Sequence, residues 1–283
     1  MRSTLSLPLV VTLASALAVT GEAAIVIDFD YSYDSGGWYT SDVKAALNAA
    51  AATFTGFTNS LTAITPGGSN TWTATFMNPS DPYGADVNVD DLSLATNTLK
   101  VYVGTFTDGG SLGVGGNGGH SGSGSSAFIN TLNRGDATDA TRWGGSISFN
   151  SGMTWHFDIP TGPGAGENDF YSVAVHELGH VLGFGTTAAW DDLVSGATFT
   201  GTASVAAYGG NVPLAGDLAH WQSGLMSGGQ ETAMDPELTV GTRKGFTALD
   251  YAAMSDIGWT GVPEPASLAL LSLGLSLLSR RRR

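Results

Sequence analysis

Ser172-Val173-Ala174-Val175-His176-Glu177-Leu178-Gly179-His180-Val181-Leu182-Gly183-Phe184 is the stretch on which the reading of this chain turns. Its apolar positions recur at helical spacing, which predicts a helix from about Asp169 to Leu182, ended by Gly183 and Gly185. Histidines four residues apart project from one face of such a helix, so His176 and His180 can hold one Zn²⁺ together. Glu177 reaches a water on that ion rather than the ion itself. Zinc brings the pKa of such a water to about 7, so Glu177 can act as general base and return the proton to a leaving amine. Only five histidines occur in 283 residues, and two of them fall in this pattern.

A catalytic zinc needs a third protein ligand and an open position for water. Downstream candidates are Asp191, Asp192, Glu231 and His220. Asp191 and Asp192 follow Trp190 and read as a solvated pair or as the cap of a helix starting near Leu193. His220 is the only histidine after the helix and precedes Met234-Asp235-Pro236 by a short interval. Imidazole suits zinc better than carboxylate alone, so His220 is the preferred third ligand.

Around this segment the chain is apolar (42%) and poor in charge (13%), so it has the means to build a core. Its 40 glycines are about twice the usual share. The formal charge of −14 argues against nucleic acid as a partner. With no cysteine, disulfides, thiolate nucleophiles and Cys-ligated metals are excluded.

The expected elements are a strand at Ile25–Phe29, a helix from Asp42 to about Phe54 capped by Ser41, and strands at Thr71–Asn78, Leu99–Phe106 and Gly145–Asn150. Gly109–Ser126 reads as a mobile surface loop; without lysine it is no phosphate-binding loop. A last helix is expected from Thr247 to Ile257, with Thr247 and Asp250 at capping-box spacing. The whole reads as one α+β domain over residues 25–261, with a mixed sheet, an active-site helix and a loop-rich C-terminal part.

Both ends read as addresses. Arg2, the apolar run Leu5–Val19 and the small residues Ala16 to Ala24 describe a secretory leader over residues 1–24, cleaved within Ala18–Ala24. At the other end, Val262-Pro263-Glu264-Pro265 precedes the apolar run Ala266–Leu278 and Arg280–Arg283. That run makes roughly 20 Å of helix, short of the roughly 30 Å hydrocarbon core, so residues 266–278 suggest transient membrane contact. Removing both ends leaves 6 basic against 23 acidic residues, a more acidic body than the whole chain.

The order of Pro-Glu-Pro box, short apolar helix and terminal arginines resembles the PEP-CTERM sorting signal of Gram-negative bacteria. That resemblance implies an exosortase-type processing enzyme as partner, export across the inner membrane, and a final place at the cell surface or outside the cell. The segment His176–Gly183 resembles the metzincin zinc-protease helix, and Met234-Asp235-Pro236 is similar to the Met-turn beneath its metal. Gly145–Trp155 resembles the strand and turn before the active helix of matrixins. The metzincin pattern puts its third histidine where this chain has Thr186; leishmanolysin-like members place it far downstream, as at His220. The resemblance implies a zincin fold, His176, His180 and His220 as zinc ligands, Glu177 as base, Met234 as support, and a polypeptide substrate paired along Gly145–Asn150. The cysteine switch of these relatives is impossible here.

Other features carry weaker expectations. Asp86, Asn88, Asp90 and Asp91 alternate as calcium loops do, though the EF-hand pattern is incomplete. His120 and His156 could share a second metal. Trp38, Trp72, Trp143 and Trp190 could line a carbohydrate groove, and Tyr208 or Tyr251 could donate to an oxyanion, Tyr251 more simply packing the last helix. The expected function is a secreted zinc endopeptidase; the rivals are a non-catalytic, zinc-stabilised matrix or adhesion protein and a zinc amidase.

Overall fold

The structure, a computed structural model, describes residues 24–59, 61–107, 109–134 and 143–261. The leader and the C-terminal sorting segment expected from the sequence lie outside the described residues. The N-terminal half runs β1 (Val26–Asp30), α1 (Ser41–Ala52), β2 (Thr71–Phe76), β3 (Val87–Asp90), β4 (Thr98–Phe106), β5 (Gly113–Asn117) and β6 (Gly119–Ser123). Then come α2 (Ser126–Leu132), β7 (Gly144–Asn150) and α3 (Phe170–Val181). After α3 the chain is mostly loop, with two-residue strand pairings and the helices α4 (Ala188–Asp191), α5 (Thr202–Tyr208) and α6 (Ala248–Asp256).

The main sheet has the order β1-β4-β7-β5, the first three strands parallel and β5 antiparallel at the edge. Alternation along β4 and β7 sorts side chains between two faces. Val101, Val103, Ile147 and Phe149 join the core that α1 and α3 cover, whereas Tyr102 joins a second cluster with Trp72, Phe76 and Trp143. That second cluster underlies a smaller sheet, β3-β2-β6. Ser146 and Ser148, buried on the same side of β7, donate their hydroxyls to the carbonyls of Met77 and Pro79 (2.8 and 2.6 Å), which offsets the cost of burying them.

Three local expectations need correction. Gly109–Ser126 is no mobile loop: it supplies β5 to one sheet and β6 to the other, and Ser125 caps α2 by accepting from Phe128 N. Glycine content hid strands whose stability comes from pairing rather than from side chains. Ser41 does not cap α1; Thr40 holds that position, and Ser41 Oγ donates to Asp42 instead. β7 offers no edge, since β4 and β5 flank it and all seven of its residues are buried; the edge on that side of the sheet is β5, with β1 at the other.

The helix at the centre is well signalled. Asp169 caps α3 by accepting from Ser172 N and Ser172 Oγ, and its other oxygen is engaged by Arg243. Gly183, at φ +107°, turns the chain out of the helix, and Phe184 N closes it on Gly179 O. The capping box at Thr247 and Asp250 forms at the start of α6.

Candidate metal centre and cleft

α3 places His176 and His180 one turn apart, and a loop after α5 brings His220 to them. Their Nε2 atoms form a nearly equilateral triangle: 3.1 Å for His176–His180, 3.1 Å for His176–His220 and 3.0 Å for His180–His220. Each remaining ring nitrogen has its own acceptor. His176 Nδ1 donates to Ala233 O (2.8 Å), His180 Nδ1 to Phe184 O (2.7 Å) and His220 Nδ1 to Asp217 Oδ2 (2.8 Å). A carbonyl oxygen or a carboxylate only accepts, so all three Nδ1 atoms carry protons and the three Nε2 atoms present lone pairs to one another.

Three lone pairs within hydrogen-bond distance, with no proton between them, call for a cation. Zn–N bonds of about 2.0–2.1 Å in tetrahedral array hold the nitrogens about 3.3 Å apart. The observed triangle fits that to within a few tenths of an ångström, and an all-imidazole donor set suits zinc. The protonation equilibria point the same way. Burial, then the neighbouring His180 and His220, hold His176 well below its ordinary value; burial brings His180 down to about 4. Both rings therefore stay neutral, as metal ligands must.

His220 owes its place to local chemistry that the sequence did not advertise. Leu218 takes a left-handed conformation (φ +62°), Ala215 N donates to His220 O, and Trp190 Nε1 holds Leu218 O. Asp217 accepts from both Ala219 N and the His220 ring. Burial alone would raise the Asp217 pKa, but these hydrogen bonds outweigh it and lower the value. The three-residue spacing from Asp217 to His220 is the signal that could have pointed to this orienting carboxylate.

Below the histidines, Met234 is buried against Gly179, where a Cβ would stand 2.6 Å from its sulfur. Asp250, inside α6, accepts from Trp221 Nε1, Ala233 N and Met234 N, which fixes the floor of the site. Burial raises its pKa. Lys244 joins this floor by pairing with Glu231 (2.9 Å) and lying 3.6 Å from Asp235.

Glu177 is 5% exposed, and its carboxylate lies under β5 and lines a cleft of about 840 Å³ together with the three histidines. Burial pushes it up to about 8, opposed by a hydrogen bond from the Gly115 N–H. A cation among the histidines acts against that rise. Leu112, Gly113 and Val114 of the β5 segment, Val173 of α3, and Pro236 and Leu238 also line the cleft.

Several candidates from the sequence lie elsewhere. Asp191 and Asp192 are exposed at the end of α4, a helix capped by Thr187 rather than starting near Leu193. Glu231 is an ion-pair partner of Lys244, and Thr186 donates its hydroxyl to His180 O. Tyr208 is exposed on α5, and Tyr251 packs α6 against Phe57 and Phe246. His156 is held by Asp158, Thr161 and Glu167, and His120 lies in β6 near Trp72. Among the described residues the only metal-sized group of three is His176, His180 and His220.

The calcium expectation meets a strand, not a loop. Asn88 and Asp90 accept from Thr75 and Thr73 across the β2–β3 pairing, and Asp91 accepts from Trp72 N. Extended backbone spreads such oxygens along a line instead of folding them round an ion. Trp72, Trp143 and Trp190 are buried and Trp38 packs on Phe149 and Phe170, so they serve the core rather than a groove.

Comparison with known proteins bears on the C-terminus. Residues 261–283 match the PEP-CTERM protein-sorting motif, which marks this as an exported protein of Gram-negative bacteria processed by an exosortase-type enzyme. No curated protein and no solved structure matches the chain. No helix among the described residues is long and apolar enough to cross a membrane.

Proposed function

We propose that this exported protein is a zinc-dependent endopeptidase of metzincin type, acting at the cell surface or outside the cell. The observation that carries the reading is the convergence of three Nε2 lone pairs, each fixed by its own Nδ1 acceptor, beside a buried carboxylate that opens onto a cleft. His176, His180 and His220 would hold the ion. Bound there, zinc would supply Lewis acidity, polarising a scissile carbonyl and acidifying a water. Glu177 takes the proton of the attacking water and passes it to the departing amine.

An open sheet edge at the cleft favours an extended polypeptide as substrate. Asn150 N donates to Leu112 O and Gly118 N to Gly144 O, so in this antiparallel pairing Val114 and Gly116 bond to β7. Gly113 and Gly115 turn their backbone groups away from β7; the Gly115 N–H is taken by Glu177, so Gly113 and the Gly115 carbonyl are what another strand can meet.

The rival is an exported matrix or adhesion protein that keeps zinc for stability. Three donors rather than four, with a carboxylate beside them, favour a catalytic site over a closed structural one. The test is metal analysis of the full chain with casein cleavage, with and without chelator. The proposal expects one zinc per chain, chelator-sensitive cleavage, and a Glu177→Ala variant that keeps zinc but cleaves nothing. Bound zinc without hydrolysis in the unmodified protein would establish the rival.

A further inference from the structure

The glycines of β5 sit on top of the candidate base. A Cβ on Gly113 would stand 2.8 Å from Glu177 Oε1 and 2.9 Å from its Cγ; one on Gly115 would stand 2.8 Å from the Glu177 carbonyl oxygen and 3.0 Å from Oε2. Real Cβ atoms are not found that close, so no other residue fits at either position without displacing the carboxylate, the helix or the strand. The next residue differs: a Cβ on Gly116 would meet nothing within 4 Å. The pairing register explains why the backbone groups of the two close glycines are not used by β7, so that the Gly115 N–H is left to donate to Glu177. Gly113 and Gly115 are the residues whose N–H and C=O face away from β7.

We propose that Gly113 and Gly115 are positioning residues for the reaction: their bare backbone lets β5 lie directly on α3, and the outward N–H of Gly115 holds the Glu177 carboxylate in line with the histidines. The inference rests on the endopeptidase reading above. One strand then sets both the seat of the base and the register of the substrate, so the reacting carbonyl and its proton acceptor are aligned by the same backbone. The carboxylate needs this help, because burial has taken it from water and the Gly115 N–H is the donor that replaces solvent there.

The most direct test is Gly113→Ala in the full chain, because the added methyl meets only side-chain atoms of Glu177 and Val173 and leaves the backbone free to keep its fold. Steady-state kinetics on a peptide substrate, zinc content and thermal melting are measured together. We expect kcat to fall roughly 100-fold, the scale of a misplacement of about 1 Å, with KM within about twofold, zinc retained and melting unchanged. Gly115→Ala should act in the same sense, while Gly116→Ala keeps wild-type kcat. In a Glu177→Asp background the shorter side chain vacates the space, so the penalty of Gly113→Ala should shrink at least fivefold, by our estimate for a contact that is mostly removed.

Unchanged kcat in Gly113→Ala, or a loss confined to KM, overturns the inference; the latter would make the glycines a passage for substrate. If Gly113→Ala melts early, kcat per zinc-loaded molecule measured well below its melting temperature decides: a wild-type value there makes the defect one of folding and overturns the inference. Absence of zinc and hydrolysis in the unmodified protein would instead overturn the endopeptidase reading itself.

Discussion

Replacing Asp217 by alanine should weaken zinc binding about tenfold. The carboxylate accepts from the His220 ring at 2.8 Å and from Ala219 N at 3.0 Å, so it both orients the imidazole and closes the loop that delivers it. Loss of such an outer partner costs 10–100-fold in metal affinity. The Asp217 side chain is 52% exposed, so water takes over part of its role and the lower end applies. Tenfold corresponds to about 1.4 kcal/mol. Asp217→Asn keeps an acceptor oxygen in place and should lose less. Competition against a chromophoric chelator measures the affinities directly. Thermal melting gives an internal control: at zinc 100 times the wild-type dissociation constant, binding adds about 2.7 kcal/mol, and the variant should forfeit about half of that. With chelator present, the two proteins should melt within a degree or two of each other, by the size scaling of small stability changes. An Asp217→Ala protein that binds zinc within twofold of wild type would show that the carboxylate does not orient the ligand.

Further expectations concern the frame of the site. Gly185→Ala places a methyl 2.2 Å from the Ala219 carbonyl at φ +70°, so it should push aside the neighbour of His220 and sharply reduce zinc uptake; normal metal stoichiometry would contradict this. Asp250→Ala strips acceptors from buried donors of Trp221, Ala233 and Thr247, which should cost about 3 kcal/mol or more in denaturant unfolding. In the presence of chelator, stability should fall on acidification. Unfolded His180 protonates near 6.5 and folded His180 near 4, so between those values the unfolded chain binds more protons. The loss is about 3 kcal/mol for His180 alone, and His176 shifts in the same direction. Urea midpoints that stay flat from pH 7 to about 4.5 would refute the burial of neutral rings.

How far the sequence carried can be seen element by element. α3 and its cap at Asp169, the capping box of α6 and the clustering of His176, Glu177 and His180 were legible because a helix repeats within a few residues and its caps lie three positions apart. β5 and β6 were not. Their sequences, Gly113–Asn117 and Gly119–Ser123, have almost no side chains from which a period could be read, and their partners β7 and β2 lie far along the chain. The expectation of an edge at Gly145–Asn150 followed from that omission: without β5, β7 looks like the last strand.

The sequence by itself determined the export signal at the C-terminus and the placing of His176, Glu177 and His180 together on one helix, since each is written in neighbouring residues. The sequence offered His220 among four candidates; tertiary structure decided that it, 40 residues after His180, closes the triangle, that Asp217 turns its ring, and that β5 lies over Glu177. These depend on loop closure and on strand pairing across the chain, whose energies come from contacts made only when the core assembles.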